Sequence, residues 1–217
     1  MLDSLNDIEV RPINRDERHQ WNELIRRYHY VGLHSLIGES IRYIAMHNGQ
    51  LLALIGWSAA FKCKVRDRWI GWPSFLQYQR LTFIANNSRF LILPYVRIPN
   101  LASRVLALNL KRLSSDWQTL YGHPIYLAET FVDPRYFTGT CYKAQGWIFP
   151  GCTRGFAKCA NRYYPHNQPK MVFVRLVVPD GKRKLSEPYP DMHCTRKEVK
   201  SMNLSVKQAE DLKERLS

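Results

Sequence analysis

The stretch Asn86–Gly122 constrains the fold more than any other part of the chain, because its pattern predicts a strand, a rigid loop and a long helix in direct succession. The apolar run Phe90–Leu93 is typical of a buried strand, and Pro94 prevents this strand from continuing in its ladder. Pro99 suits a first helical position, and apolar residues then recur at helical spacing up to the stop signal Gly122. The sequence therefore predicts a central strand–loop–helix unit.

The start of this helix is a predicted anion site. A helix N-terminus carries a partial positive charge and N–H groups that lack intrahelical acceptors. Arg97 and Arg104 flank this end of the helix. We therefore expect the loop to bind an anion, and a phosphate is the natural choice.

The strand predicted at Ile125–Asp133 follows the helix, and a connection of this length favours a parallel, right-handed crossover over a hairpin. We expect this strand to lie beside Phe90–Leu93 and to splay from it after the Pro94 loop. The helix Asn100–Leu120 would cross between the two strands.

Two carboxylates, Glu129 and Asp133, share one face of that second strand with apolar residues. A carboxylate in such surroundings needs a partner. Two interpretations stay open: a functional site, or an internal ion pair with Arg97 or Arg135. Four residues along a regular strand span about 13 Å, so the two carboxylates cannot ligate one ion unless the strand bends.

Shorter elements surround the central unit. The pair Asn48-Gly49 predicts a tight turn between two strands, and the irregular segment at residues 29–40 predicts a loop that crosses the sheet or lines a cleft. The other predicted elements are a strand at Glu9–Ile13, a helix capped by Asn14 or Asp16 and ending near Tyr28, strands at Ile41–Met46 and Leu51–Ala59, a helical region around Phe75–Thr82 after a break at Trp72-Pro73, a short helix ending at Gly146, strands at Trp147–Phe149 and Met171–Val178, and an exposed helix capped at Ser205.

These elements predict an α+β domain, a mixed sheet flanked by helices, over residues 1–179. Residues 180–217 form a basic C-terminal extension with a terminal helix. No run of eighteen apolar residues occurs, and the acidic N-terminus lacks the pattern of a signal peptide, so we expect a cytoplasmic protein without a membrane partner. Five cysteines without a C-x-x-C pair indicate reduced thiols.

Positive charge is concentrated in one segment. The chain carries 32 Lys and Arg against 18 Asp and Glu, a net charge of +14, and we call the region from Lys62 to Asp116 the basic band. Such an excess repels itself unless a polyanion neutralises it, which predicts nucleic-acid binding. Interleaved aromatic residues could stack on bases, although core packing is the favoured interpretation for them. The cationic residues predicted to contact nucleic acid are Lys62, Lys64, Arg66, Arg68, Arg80, Arg89 and Arg104. The interleaved aromatic residues are Trp57, Phe61, Trp69, Trp72, Phe75 and Tyr78.

The loop before the helix resembles that of the GCN5-related N-acetyltransferases (GNATs). In that family an Arg/Gln-x-x-Gly-x-Gly/Ala loop holds the pyrophosphate of acetyl-CoA, and the segment Arg97–Ala102 is similar to it, with Asn100 at the position where the family prefers glycine. The segment Tyr142–Trp147 likewise resembles the family's Tyr-x-x-x-Gly-Phe. The resemblance implies a GNAT-like sheet and acetyl-CoA or another acyl-CoA as cofactor, bound by Arg97, Asn100, Leu101, Ala102 and Ser103.

A more specific resemblance covers most of residues 28–155. RDRWIGW at 66–72, NNSRFLILPYVRIPNLASRVL at 86–106 and ETFVDPRYFTGTCYKAQGW at 129–147 are similar to the DruA family of Druantia anti-phage systems. That resemblance implies DNA as a partner, together with other defence or mobile-element proteins. The spacing of Asp133, Gly139, Thr140, Tyr142, Ala144 and Trp147, with His29-Tyr30 upstream, also resembles the Mom DNA-modification proteins, which implies an iron ion as a further cofactor.

The candidate catalytic residues are His29, Tyr30, Glu129, Asp133 and Tyr142. His29 and Asp133 would hold a metal, with Glu129 or Tyr30 as a possible third ligand, or one carboxylate would act as general base without metal. Two functions compete. The first is a GNAT-fold enzyme that modifies nucleic acid, through acyl transfer or Mom-like chemistry, and the second is a non-catalytic DNA-binding accessory protein whose cofactor cleft has decayed.

Overall fold

The computed structural model describes residues 7–159, 162–165 and 167–188. A seven-stranded sheet has the order β1-β2-β3-β4-β5-β9-β6, and β7 and β8 form a separate antiparallel hairpin. The strands are β1 (Glu9–Pro12), β2 (Ser40–His47), β3 (Gln50–Ala59), β4 (Ile84–Ile92), β5 (Leu127–Val132), β6 (Ile148–Cys152), β7 (Phe156–Cys159), β8 (Arg162–Pro165) and β9 (Met171–Leu176). The helices are α1 (Arg18–Tyr28), α2 (Lys64–Ile70), α3 (Ser74–Arg80), α4 (Leu101–Tyr121), α5 (Thr140–Ala144) and α6 (Gly181–Ser186).

This architecture confirms the predicted α+β class with a mixed sheet flanked by helices. The first compact unit of the chain extends to Ser186, and the second, residues 187–217, lies almost wholly outside the described residues. The helix predicted after Ser205 falls there too, so the division at residue 179 stays a prediction. In the part of the chain that the structure describes, no helix has the length and apolarity that crossing a membrane requires.

Local chemistry explains several elements. Asn48 and Gly49 both adopt positive φ, 46° and 76°, which is the geometry of the tight β2–β3 turn and confirms that prediction. The predicted caps Asn14 and Asp16 are wrong, because Glu17 occupies the N-cap of α1 and its carboxylate accepts the Asn14 N–H at 2.6 Å. Pro99 is also outside its helix, which begins at Leu101.

The predicted parallel pairing of the two central strands is confirmed. Ile84, Ala85 and Asn86 of β4 pair with residues 127, 128 and 129 of β5, and α4 forms the connection. The predicted strand Phe90–Leu93 began too late in the chain, because β4 begins at Ile84. The two strands diverge after Asn86, and not after the Pro94 loop as predicted. A bulge explains the early divergence: Asn87 and Arg89 pair with consecutive residues of β3, so Ser88 is an extra residue that bends β4.

Successive side chains along each strand point to opposite faces of the sheet, so the core is divided between the two faces. Side chains such as Ala53 and Ala128 belong to the cluster under α4, which includes Val105, Leu113 and Trp117. Leu54, which follows Ala53, and Leu127, which precedes Ala128, belong to clusters on the opposite face, which contain residues of α1 and of the α2 region. We call these the α4 face and the α1–α2 face.

Candidate active site

A cleft of about 430 Å³ opens where β4 and β5 diverge, and we call it the splay cleft. Its volume is within the range of small-molecule sites, about 300–1,000 Å³. Because the strands separate here, residues from both faces of the sheet line it. They include Ala102, Thr130, Val132, Cys141 and Tyr142 on the α4 face, and Tyr28, His29, Tyr30, Phe131 and Phe137 on the α1–α2 face.

The backbone of β4 borders the cleft. Beyond Asn86 this strand pairs with β3 on one side, and β5 no longer pairs with it on the other. Residues Phe90, Leu91 and Ile92 of this segment line the cleft. An extended ligand that carries amide groups can add to such a strand edge through main-chain hydrogen bonds.

The loop before α4 enters the helix through a left-handed residue. Asn100, the N-cap, has φ 60° and ψ 7°, a left-handed conformation that asparagine tolerates better than other side chains. Asn100 stands at the position where the GNAT motif prefers glycine, and it adopts a conformation that glycine also adopts without strain. The Ser103 hydroxyl donates to the Asn100 carbonyl at 2.9 Å and holds this turn.

The predicted cofactor residues do not contribute equally. Ala102 lines the splay cleft, and Arg97 is exposed beside the loop. Leu101 is a correction: its side chain is 2% exposed in the core, and its N–H donates to the Ile98 carbonyl at 3.3 Å. The N–H groups available from the first turn of α4 are therefore those of Ala102 and Ser103.

Tyr142 lies at the wall of the cleft in a buried hydrogen-bond network. Its hydroxyl donates to Asn87 Oδ1 at 2.8 Å, and the Asn87 amide group donates to the carbonyls of Gly56 and Arg89. The Thr130 hydroxyl donates to the Asn87 carbonyl at 3.0 Å. Burial raises the pKa of Tyr142 well above its ordinary value, so the phenol keeps its proton at neutral pH.

Asn87 is a site residue that the sequence reasoning missed. It is 4% exposed and lies beside Asn86, which is 7% exposed, in the buried part of β4. A polar side chain in a buried strand requires specific partners, and that rule could have marked the pair Asn86-Asn87 as a candidate. The structure shows that Asn87 orients the Tyr142 hydroxyl.

His29 lies in the cleft wall as a neutral imidazole. Its Nδ1 accepts the Val31 N–H at 3.3 Å, so the proton of the neutral ring is on Nε2. Burial, and then the charge of Arg89, lower the pKa of His29 to about 4. The ring packs against Tyr30 with centroids 5.0 Å apart. His29 can thus donate a hydrogen bond through Nε2.

Glu129 is a correction, because it lies outside the lining of the splay cleft. It is fully buried on the α1–α2 face, and its Oε2 accepts from the Arg66 guanidinium at 2.8 Å, where Asp67 is a second partner of the same arginine. Its Oε1 has no hydrogen-bond partner. Burial outweighs the attraction of Arg66 and raises the pKa of Glu129 to about 7. The ion-pair interpretation is therefore correct for Glu129, with a different arginine than predicted.

Asp133 forms the predicted ion pair with Arg135, at 2.7 Å. Hydrogen bonding from Arg135 lowers the pKa of Asp133 to about 2. Among residues 7–159, 162–165 and 167–188, no three His, Cys, Asp or Glu side chains converge as a metal site. Since the Asp133 carboxylate is bonded to Arg135 and His29 Nδ1 to a backbone N–H, the geometry does not support the predicted iron site.

The basic band divides between surface and interior. Lys62, Lys64 and Arg68 are exposed, as predicted for a nucleic-acid surface. Arg66 and Arg89 are corrections, since they are 0% and 8% exposed. Arg66 is bound to carboxylates, and Arg89 donates to the carbonyls of Gly32 and Ser88.

Two further arginines of the band are partly buried. Arg80 donates to the Lys184 carbonyl in α6, and Arg104 lies on the first turn of α4. Among the interleaved aromatics, Trp57 and Trp72 are core residues, as favoured from the sequence, but Phe61, Phe75 and Tyr78 are exposed.

Solved structures with a similar fold are N-acetyltransferases. The chain is similar to AAC(6')-Ib in complex with paromomycin and acetyl-CoA, with TM-score 0.53 and 12% identity over 79% of this chain and 94% of the other. The ribosomal-protein-S18-alanine N-acetyltransferase of Escherichia coli gives TM-score 0.51 and 10% identity over 78% and 94%. A chimera of spermidine N-acetyltransferase SpeG from Vibrio cholerae and hSSAT gives 0.50 and 12% over 79% and 96%. These likenesses show that the fold is that of the GNAT acetyltransferases.

At the level of sequence, no curated protein matches this chain. The family described as Druantia protein DruA matches residues 5–174, which include every strand of the described sheet except the last two residues of β9. This range contains the loop before α4, the whole lining of the splay cleft and the buried Arg66–Glu129 pair. The chain therefore belongs to the DruA family.

Proposed function

We propose that this GNAT-fold DruA protein binds an acyl-CoA in the splay cleft and transfers the acyl group to an amine of nucleic acid, in the context of anti-phage defence. The observation that carries the proposal is the left-handed Asn100 at the start of α4, directly beside a cleft that Tyr142 borders. The loop, the strand edge and the proton donor then lie along one continuous path.

The residues of the cleft fit an acyl-CoA. The N–H groups of Ala102 and Ser103 and the exposed Arg97 suit a pyrophosphate. The unpaired edge of β4 suits the amides of a pantetheine arm, and the apolar lining suits its methylene groups. Pro99 and the engaged N–H of Leu101 reduce the number of phosphate donors, so we expect weaker binding than a loop with glycines would give.

Acyl-CoA, when bound, supplies an acyl group that is already activated as a thioester. The chain's own residues supply proton donors around the cleft. Tyr142 holds its proton at neutral pH and donates a hydrogen bond to Asn87 in the resting site, so the hydroxyl has to turn from Asn87 to protonate the leaving thiolate. Neutral His29 offers Nε2–H on the opposite face. Among the described lining residues none is a carboxylate, so an amine that is already neutral at pH 7 suits the site better than a charged alkylamine.

The experiment that tests this proposal is a pair of variants at Asn100. Asn100→Gly keeps the left-handed conformation, so we expect affinity for acetyl-CoA to stay within about threefold of the wild-type value. Asn100→Val places a β-branched residue at φ 60°, which costs about 1–3 kcal/mol and disrupts the loop. Isothermal titration with acetyl-CoA should therefore lose its signal for Asn100→Val alone, while circular dichroism shows both variants folded.

A second variant separates binding from chemistry. Tyr142→Phe removes the hydroxyl and keeps the ring, so acetyl-CoA should bind normally while acyl transfer to nucleic acid falls by about 10²–10⁴-fold, the usual worth of a positioned proton donor.

Equal acetyl-CoA titrations for Asn100→Gly and Asn100→Val would contradict the proposal. Absence of acetyl-CoA binding by the wild type, together with intact DNA binding, would favour the non-catalytic accessory protein.

A further inference from the structure

The mouth of the splay cleft on the α1–α2 face carries a cluster of exposed aromatic rings, which we call the aromatic rim: Tyr30, Tyr136 and Phe137. Tyr30 comes from the loop after α1, and the other two come from the loop after β5. The centroid of the Tyr30 ring lies 5.1 Å from that of Tyr136 and 5.2 Å from that of Phe137. The rings thus bridge two loops that flank the cleft.

These rings are exposed although they are in mutual contact. Tyr30, Tyr136 and Phe137 are 42%, 60% and 51% exposed. Leaving three neighbouring rings in water forgoes the free energy of burying them, and exposed apolar patches of this kind usually mark a binding surface. Tyr30 and Phe137 also line the cleft. The rim is therefore placed at the entrance to the candidate active site, on the face opposite α4.

The charges around the rim select the kind of ligand. The Arg135 guanidinium lies 5.4 Å from the centroid of the Tyr136 ring, and Arg27 lies 5.2 Å from that of Tyr28, which also lines the cleft. The nearby carboxylate of Asp133 is paired with Arg135. A cationic acceptor such as a polyamine would find no unpaired carboxylate at the described mouth, whereas a nucleotide would find aromatic rings for its base and the Arg27 guanidinium for its phosphate.

We infer that the aromatic rim holds an unpaired nucleobase of a single strand or of an extruded nucleotide, and presents it to the splay cleft. The purpose of holding the base there rests on the proposed function, but the rim binds a base without acyl-CoA. Bases stacked in a duplex cannot reach a cleft within the sheet, and enzymes that act on a base take it out of its stack. Sugar and phosphate remain outside, beside Arg27.

Binding of fluorescein-labelled oligonucleotides by the full chain, without any coenzyme, tests the inference by fluorescence anisotropy. The probes are a short mixed-sequence single-stranded DNA, the same sequence as RNA, and the DNA as a blunt duplex. We expect both single strands to bind more tightly than the duplex. Tyr30→Leu and Tyr136→Leu should each weaken single-strand binding about tenfold, which is within the range for one base stacked on one ring, and leave duplex binding unchanged.

Tyr95→Leu is the matched control, because Tyr95 is also 60% exposed but does not line the cleft. We expect it to bind every probe as the wild type does. Melting temperatures of all variants verify folding, and Phe137→Leu serves as a second rim variant if either tyrosine replacement unfolds. Equal loss for single strand and duplex, or no loss for either rim variant, overturns the inference.

The outcome also separates the two proposals. One outcome is a selective loss of single-strand binding by the rim variants while the protein fails to bind acetyl-CoA. That result would refute the acyl-transfer function and leave the inference about the aromatic rim intact. Normal acetyl-CoA titrations with no effect of the rim variants would refute the role of the aromatic rim and leave the acyl-transfer function intact. A larger effect with the RNA probe than with the DNA probe would identify RNA as the ligand.

Discussion

The buried pair Arg66–Glu129 makes a quantitative prediction about stability. Both side chains are 0% exposed, and the Arg66 Nη1 to Glu129 Oε2 distance is 2.8 Å. Arg66→Met keeps an unbranched chain of comparable length but leaves the Glu129 carboxylate buried without its partner. Removing one member of a buried ion pair costs about 3–5 kcal/mol. For a protein of this size about 2–4 °C accompany each kcal/mol, so the melting temperature should fall by roughly 6–20 °C.

The pH dependence of this loss has a definite sign. Glu129 in the folded protein has a pKa of about 7, above its ordinary value of 4.5. The folded state therefore favours the protonated form, and this contribution to stability is complete below pH 4.5 and is lost as pH rises through 7. Without Arg66 the pKa of Glu129 should rise further, so the Arg66→Met variant should lose more stability at pH 8 than at pH 5.5.

The assay is urea unfolding followed by tryptophan fluorescence at both pH values, with Glu129→Gln and the double variant Arg66→Met/Glu129→Gln as controls. Glu129→Gln removes the titrating group, so the part of the pH dependence that belongs to Glu129 should disappear. The double variant should recover most of the loss, because no unpaired carboxylate remains buried. A double variant as unstable as Arg66→Met, or an Arg66→Met variant with an unchanged urea midpoint, would refute the reasoning.

Two further predictions concern the DNA surface and the cleft. Replacing Lys62, Lys64 and Arg68 by alanine should lower the slope of log affinity for duplex DNA against log salt concentration by about 2–3, whereas replacing Lys182, Arg183 and Lys184 should change it less. A larger effect of the second triple would place the DNA surface elsewhere. Gly139→Ala should destabilise the chain by about 1–3 kcal/mol, because φ is 73° and the new Cβ would lie 2.7 Å from atoms of the Phe173 ring. Gly32→Ala, with φ 68° and nothing within 4 Å, is its control, and equal urea midpoints for the two variants would exclude the predicted clash.

Local patterns in the sequence were sufficient where short-range physics decides the structure. The Asn48-Gly49 turn follows from residues that tolerate positive φ, and α4 follows from apolar residues at helical spacing and the stop at Gly122. Parallel pairing of β4 with β5 follows from the length of the connecting helix.

The cleft's detailed chemistry depended on contacts between residues far apart in the chain. Whether Glu129 is a catalytic group or an ion pair depends on which arginine reaches it, and Arg66 lies 63 residues away. The role of Asn87 likewise depends on a distant residue, because its hydrogen-bond partner Tyr142 is 55 residues away in the chain. Sequence by itself thus determined the class of the fold and the order of its central elements, β4, α4 and β5. Only the tertiary structure decided which charges are buried, which rings stay exposed and where β4 leaves β5, because burial and pairing depend on how the elements pack together.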